Sequence, residues 1–133
     1  MTSTSAMPIV EHDDPDVPEE SIVAARAADA KSGADTVILA MGELLGVTDA
    51  FVITSGRTSR QVRAIVDEVE LQVKGLGGRS PLRVEGLSDA HWVLMDYGEF
   101  LVHVFLDEAR EFYDLEHLWL DAPRIPWVGV APS

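Results

Sequence analysis

Cysteine is absent from this 133-residue sequence, which excludes disulfides, cysteine-ligated zinc and thiol nucleophiles. A chain without cysteine suits a reducing cytoplasm. Long apolar runs are missing too. Residues 37–53 come nearest to a membrane span, but Gly42, Glu43, Gly46 and Asp49 interrupt them, so no membrane association is expected. The N-terminus lacks a basic stretch followed by an apolar one, the pattern of a secretory signal. Basic side chains are scarce: ten Lys and Arg stand against 23 Asp and Glu, a formal net charge of −13. Residues 1–20 hold six of those acids and no Lys or Arg, which leaves −7 for the rest. Phosphate binding needs a basic footprint, so this balance argues against nucleic-acid binding through the overall field and favours a basic protein partner. The competing reading is that the acidity serves solubility.

What is present fits one globular domain: 47% hydrophobic and 25% charged residues, in a chain long enough to bury one core. Residues 1–17 are polar and acidic and read as a disordered tail. Residues 18–122 read as the folded domain, and residues 123–133, punctuated by Pro123 and Pro126, as an extended C-terminal tail. Pro18 suits the first position of a helix, with Glu19 and Glu20 in its first turn and Gly33 after its end. Residues 36–41 and 51–54 are short β-branched apolar runs, consistent with buried strands. Ser55 to Ser59 reads as a turn with Thr58 and Ser59 as N-cap candidates. Val62, Ile65, Val66, Val69, Val73 and Leu76 then recur at helical spacing until Gly75, Gly77 and Gly78 end the segment. Residues 82–85 suit a short strand, 91–96 and 99–106 a hairpin, and 107–119 one final helix. Strands alternating with helices, plus a late hairpin, imply an α/β fold with a mixed sheet flanked by helices.

The hairpin carries the most informative pattern. A two-residue turn at Tyr97-Gly98 would set Asp96 opposite Glu99, Leu94 opposite Leu101 and Trp92 opposite His103. One face then holds Val93, Met95, Phe100, Val102, Val104 and Leu106 and should be core. The other mixes Trp92, Leu94, Asp96, Glu99, Leu101, His103 and Phe105. An aromatic anchor among polar neighbours resembles the centre of a protein–protein interface. A sheet covered on both sides, with Trp92 in the core, is the alternative. An enzymatic reading has weaker support. Asp96 and Glu99 suggest a cation site, His103 a general base, and the Ser55-Gly56 turn a phosphate site. No third well-placed carboxylate and no Walker or zinc-protease pattern accompanies them. Neither catalytic residues, a metal nor a cofactor is expected.

Three stretches, taken in order, resemble the ribosomal silencing factor family, also called the Iojap family. The first runs from Val47, Thr48 and Asp49 through Phe51 to Ser55-Gly56 and on to Ser59-Arg60-Gln61-Val62. The second is Glu85-Gly86, then Trp92 to Glu99, then Val102 to Phe105. The third is Arg110 to Glu116, followed by Leu118-Trp119 and Asp121-Ala122. The resemblance covers residues 19–125. Ala40 departs from the family's usual acid after its first strand, and Glu99 from its usual Asp. The resemblance implies a fold similar to that of the nucleotidyltransferases but without their active site. It implies binding to the large ribosomal subunit through ribosomal protein fourteen, a steric block to subunit association, and repression of translation when nutrients are scarce. It also implies a homodimer when free. The family's Trp falls on Trp92, its acid-aromatic-glycine turn on Asp96, Tyr97 and Gly98, and its strand His on His103. The mixed face thereby becomes the expected docking surface, built from Trp92, Leu94, Asp96, Tyr97, Glu99, Leu101, His103 and Phe105, with His103 ordering the indole. Residues 112, 113, 115 and 119 are expected to pack the last helix or the dimer contact. The rivals are a nucleotide-handling enzyme on the related fold and a dimeric adaptor unconnected to translation.

Overall fold

A computed structural model describes residues 17–127. The acidic tail expected over residues 1–17 lies outside them, apart from Val17, as do residues 128–133. The elements in chain order are α1 (Glu19–Ala30), β1 (Ala34–Ala40), α2 (Gly42–Leu45), β2 (Ala50–Gly56), α3 (Ser59–Gly77), β3 (Arg83–Glu85), β4 (Trp92–Asp96), β5 (Phe100–Leu106), α4 (Asp107–Tyr113) and α5 (Leu115–Leu118). The strands form one five-stranded sheet in the order β1-β2-β5-β4-β3. Only β2 and β5 run parallel; the other neighbours are antiparallel. The sheet is mixed, as the alternation of elements predicts.

One face is covered by α1 and α3. Val62, Ile65, Val66, Val69 and Val73 of α3 are all buried, the stripe read from the sequence without Leu76, which is 47% exposed at the helix end. They meet Ile38, Val52, Val93, Met95, Val102 and Val104 from the sheet. The helix begins where the turn chemistry places it: Thr58 is the N-cap and its hydroxyl accepts from the Gln61 amide at 3.1 Å,. The Gln61 side chain then ties this end to the end of α1, donating to the carbonyls of Lys31 and Ser32 at 3.1 and 3.0 Å. Helix α1 contributes small residues, Ala24, Ala25, Ala27 and Ala28, which let its backbone approach the core closely. Pro18, expected at the first helical position, is instead the N-cap, and the helix starts one residue later at Glu19.

Two expectations are corrected. The hairpin register differs by two residues: Trp92 lies opposite Phe105, Leu94 opposite His103 and Asp96 opposite Leu101. Tyr97 and Phe100 extend the ladder, with the Tyr97 amide donating to the Phe100 carbonyl at 3.0 Å. The turn is therefore Gly98-Glu99, and Gly98 takes the positive φ of +87° that the first turn position demands. An even shift leaves every side chain on its expected face, because side chains alternate with period two. The second correction concerns residues 107–119, which are not one helix. Asp114 is left-handed (φ 48°) and separates α4 from α5.

The C-terminal residues described here are extended but not loose. The Ala40 amide donates to the Pro123 carbonyl at 2.8 Å, and the Ile125 amide to the Ile38 carbonyl at 2.9 Å. Trp127 donates its indole N–H to the Thr36 carbonyl at 3.0 Å. This segment satisfies the outer edge of β1, which would otherwise offer unpaired backbone groups.

Candidate functional site: the second face of the sheet

The opposite face carries its own apolar cluster: Leu39, Met41, Phe51, Ile53, Phe105 and Ala122 are buried, with Trp92, Leu101, Leu115 and Trp119 partly so. Period-two alternation puts these residues here, and the short helices α4 and α5 only partly roof them. The centre is aromatic. Trp92 sits 4.9 Å from Phe105 and 4.8 Å from Tyr113, and Phe51 sits 4.7 Å from His103, all between ring centroids. The Trp92 indole N–H donates to His103 Nδ1 at 3.1 Å. That bond runs diagonally across the strand pair, since His103 faces Leu94, a reach that long ring side chains manage.

The hydrogen bond fixes the histidine's chemistry. Nδ1 accepts, so the proton of the neutral ring is on Nε2. Nε2 is buried without a partner. Burial disfavours the imidazolium and pushes its pKa down to about 4,. His103 therefore orients the indole as a neutral acceptor, and does not present itself as a base to solvent.

Of the eight residues expected to dock a partner, the structure leaves some at the surface and withdraws others. Trp92, Leu94, Asp96 and Leu101 are half-buried, and Glu99 is exposed in the turn. Tyr97 is 1% exposed and belongs to the core beneath α1 and α3. Its ring stacks on Phe100 at 4.6 Å. The odd-numbered residues of β4 point to that side, so the Tyr97 side chain lies away from the mixed face on which it was expected. Burial, helped by Glu70, pushes its hydroxyl up to about 12. Phe105 and His103 are also buried, at 0% and 5% exposure, and support Trp92 from beneath. Both carboxylates already have partners. Asp96 accepts from the Gly98 amide at 2.8 Å and lies 3.4 Å from Arg83. Glu99 pairs with Arg79 at 2.8 Å, and Arg79 also reaches Glu20 at 3.3 Å. They do not converge on a shared cation position, and no group of three metal-capable side chains was found among the described residues.

Sequence reasoning missed Arg110. Its guanidinium, 12% exposed, binds Glu116 with two bonds (3.1 and 3.2 Å) and donates to Ala34 O, Asp35 O and Ser55 Oγ at 2.8, 2.7 and 3.0 Å. All five of its N–H groups are engaged. The irregularity in β1 between Ala34 and Val37, with Asp35 at φ 47°, brings two successive carbonyls to one cation. The break at Asp114 turns Glu116 back to the same point. Beside this clamp, a cleft of about 370 Å³ lined by Ser32, Ser55, Gly56, Arg57, Gln61 and Asp107 opens at the carboxyl ends of β2 and β5. An arginine six residues before a glutamate was the available signal, but it needs the helix break to be meaningful. Tyr113, expected to pack the last helix or the dimer contact, roofs Trp92 instead, because the same break at Asp114 ends α4 beside it.

The fold is thus a mixed α/β sheet with one face sealed by two helices and the other half open around an indole. The sequence matches the family described as "Ribosomal silencing factor during starvation" over residues 14–132. It is 41% identical over 101 residues to the ribosomal silencing factor of Bacillus subtilis, covering 76% of this chain and 85% of that protein. The crystal structure of a Chromobacterium violaceum protein superposes with a TM-score of 0.73 at 30% identity, covering 89% of this chain and 91% of the other. The mouse protein named "Mitochondrial assembly of ribosomal large subunit protein 1" is 34% identical over 87 residues, 64% of this chain and 38% of its own. The chain belongs to the ribosomal silencing factor family.

Proposed function

We propose that the protein binds the large ribosomal subunit in the cytoplasm, through ribosomal protein fourteen, and sterically blocks association with the small subunit, repressing translation when nutrients are limiting. Residues 18–122 form the domain that does this, as a homodimer when free and without sequence-specific nucleic-acid contact. Family membership supports the reading, and so does the mouse relative, whose name ties it to the large subunit. The observation that carries the mechanism is Trp92, held at the rim of a half-open sheet face by His103 beneath and Tyr113 beside it. An ordered, half-buried indole has already lost its rotamer freedom, so a partner gains its contact area without that cost. Leu94, Leu101 and the carboxylates of Asp96 and Glu99 complete the contact, the acids exchanging internal arginines for basic groups on the partner.

The test is co-sedimentation of the purified chain with isolated large subunits. Trp92→Ala removes a central aromatic anchor and is expected to weaken binding by about 2 kcal/mol or more, roughly thirtyfold. Leu94→Arg, at a half-exposed position, checks the same face without opening the indole's bed. If both variants keep a native melting transition and sediment like the parent, docking does not occur on this face.

A further inference from the structure

The arm formed by α4, α5 and the turn that follows exposes large apolar side chains among the described residues. Phe112 is 80% exposed, Tyr113 50%, Leu118 69% and Leu120 71%. Such exposure at a frayed terminus would be unremarkable. This arm is instead bolted down by Arg110: three of its bonds reach Ala34, Asp35 and Ser55 of the sheet, and two tie α4 to Glu116 of α5. Its charge is one-sided: residues 107–121 hold six carboxylates and one arginine. That arginine is consumed by Glu116, while Asp107, Glu108, Glu111, Asp114 and Asp121 remain exposed. Phe112 packs edge-on against Tyr113 at 5.1 Å, and Tyr113 lies against Trp92 at 4.8 Å. An aromatic row therefore runs from the open sheet face out onto the arm.

We propose that the arm is a second, preorganised contact surface, whose occupant is a basic protein surface that receives Phe112 and Leu118 and faces the surrounding carboxylates. The inference rests on the reading above and extends it: the large-subunit partner is gripped by the arm as well as by the hairpin face. Charge complementarity selects this occupant. A second copy of the chain would set one acidic arm against an acidic molecule, and like charges across an interface oppose association. Rigid presentation of the apolar groups keeps the ordering cost of binding low.

Three single variants of the full chain test it: Phe112→Ser, Leu118→Ser and Glu111→Lys, each at an exposed position. Each is measured for melting temperature, for oligomeric mass and for co-sedimentation with purified large subunits, beside the parent. The expected result is an unchanged melting transition and mass, with binding to large subunits weakened about tenfold or more by each substitution. Variants that sediment like the parent overturn the arm and leave the hairpin reading intact. A parent chain that does not sediment with large subunits overturns both. If the serine variants lower the oligomeric mass, the arm faces a second copy and the proposal is wrong.

Discussion

The imidazole of His103 accepts from the Trp92 indole through Nδ1. Its depressed pKa, about 4, has a thermodynamic consequence. The unfolded chain takes up a proton on this residue near pH 6.5, while the folded chain does not until about pH 4. Between those values the unfolded state binds more protons, so stability falls as the solution is acidified. The contribution is complete above pH 6.5 and is lost on the way down to pH 4. Between pH 6.5 and 5.5 the loss amounts to about 1 kcal/mol. Urea unfolding at those two pH values should show it in the parent, and His103→Gln should flatten the slope. An equal slope in the variant would mean that His103 is not held neutral by the fold. Trp92 donates to the Nδ1 of the same ring, so a proton taken up there would remove the acceptor that orients the indole.

Short helices rarely stand alone, because nucleation costs more than one or two turns return. Helices α4 and α5 have seven and four residues, and neither buries a residue fully. Their attachment comes from Arg110. Removing the guanidinium leaves the Ala34 and Asp35 carbonyls, the Ser55 hydroxyl and the Glu116 carboxylate without their donor. Arg110→Ala is expected to cost about 2 kcal/mol, the range for losing charged hydrogen bonds in a partly buried network. Arg110→Lys should recover less than half, since an ammonium lacks the planar fork that reaches five acceptors. Denaturant midpoints of the two variants decide this. A loss under about 1 kcal/mol in Arg110→Ala would show that the arm is held by its apolar contacts with Ala109 and Leu115.

At the scale of the whole molecule, the proposed steric block depends on order of addition. On that proposal the docking surface on the large subunit would be available only while the small subunit is absent. Protein added to separated subunits should prevent their joining in a sucrose gradient. Protein added to ribosomes already joined should leave them intact, on any timescale shorter than their own dissociation. Dissociation of preformed ribosomes by the protein would point to an active mechanism and away from passive occlusion. The net charge of −13 belongs to this scale as well. It opposes general attraction to an RNA-rich particle, so the proposed binding would need a local basic protein surface.

The amino-acid order by itself determined most of the frame. The valine stripe of α3, the capping threonine at residue 58, the mixed sheet and the two faces of the hairpin all follow from short-range rules of period and capping, which act within a few residues. The family was legible too, from three ordered stretches. Only the tertiary structure decided which residues of the second face remain at the surface. Burial depends on what packs above a residue, and that is set by segments distant in the chain. Tyr97 and Phe105 went inside, Trp92 stayed at the rim under Tyr113, and Asp96 and Glu99 found internal arginines. Arg110 was unremarkable in sequence because its acceptors come from β1, β2 and α5. The hairpin register and the break at Asp114 were settled by backbone geometry, in the glycine turn and the left-handed aspartate, where one residue's dihedral choice outweighs the periodicity around it.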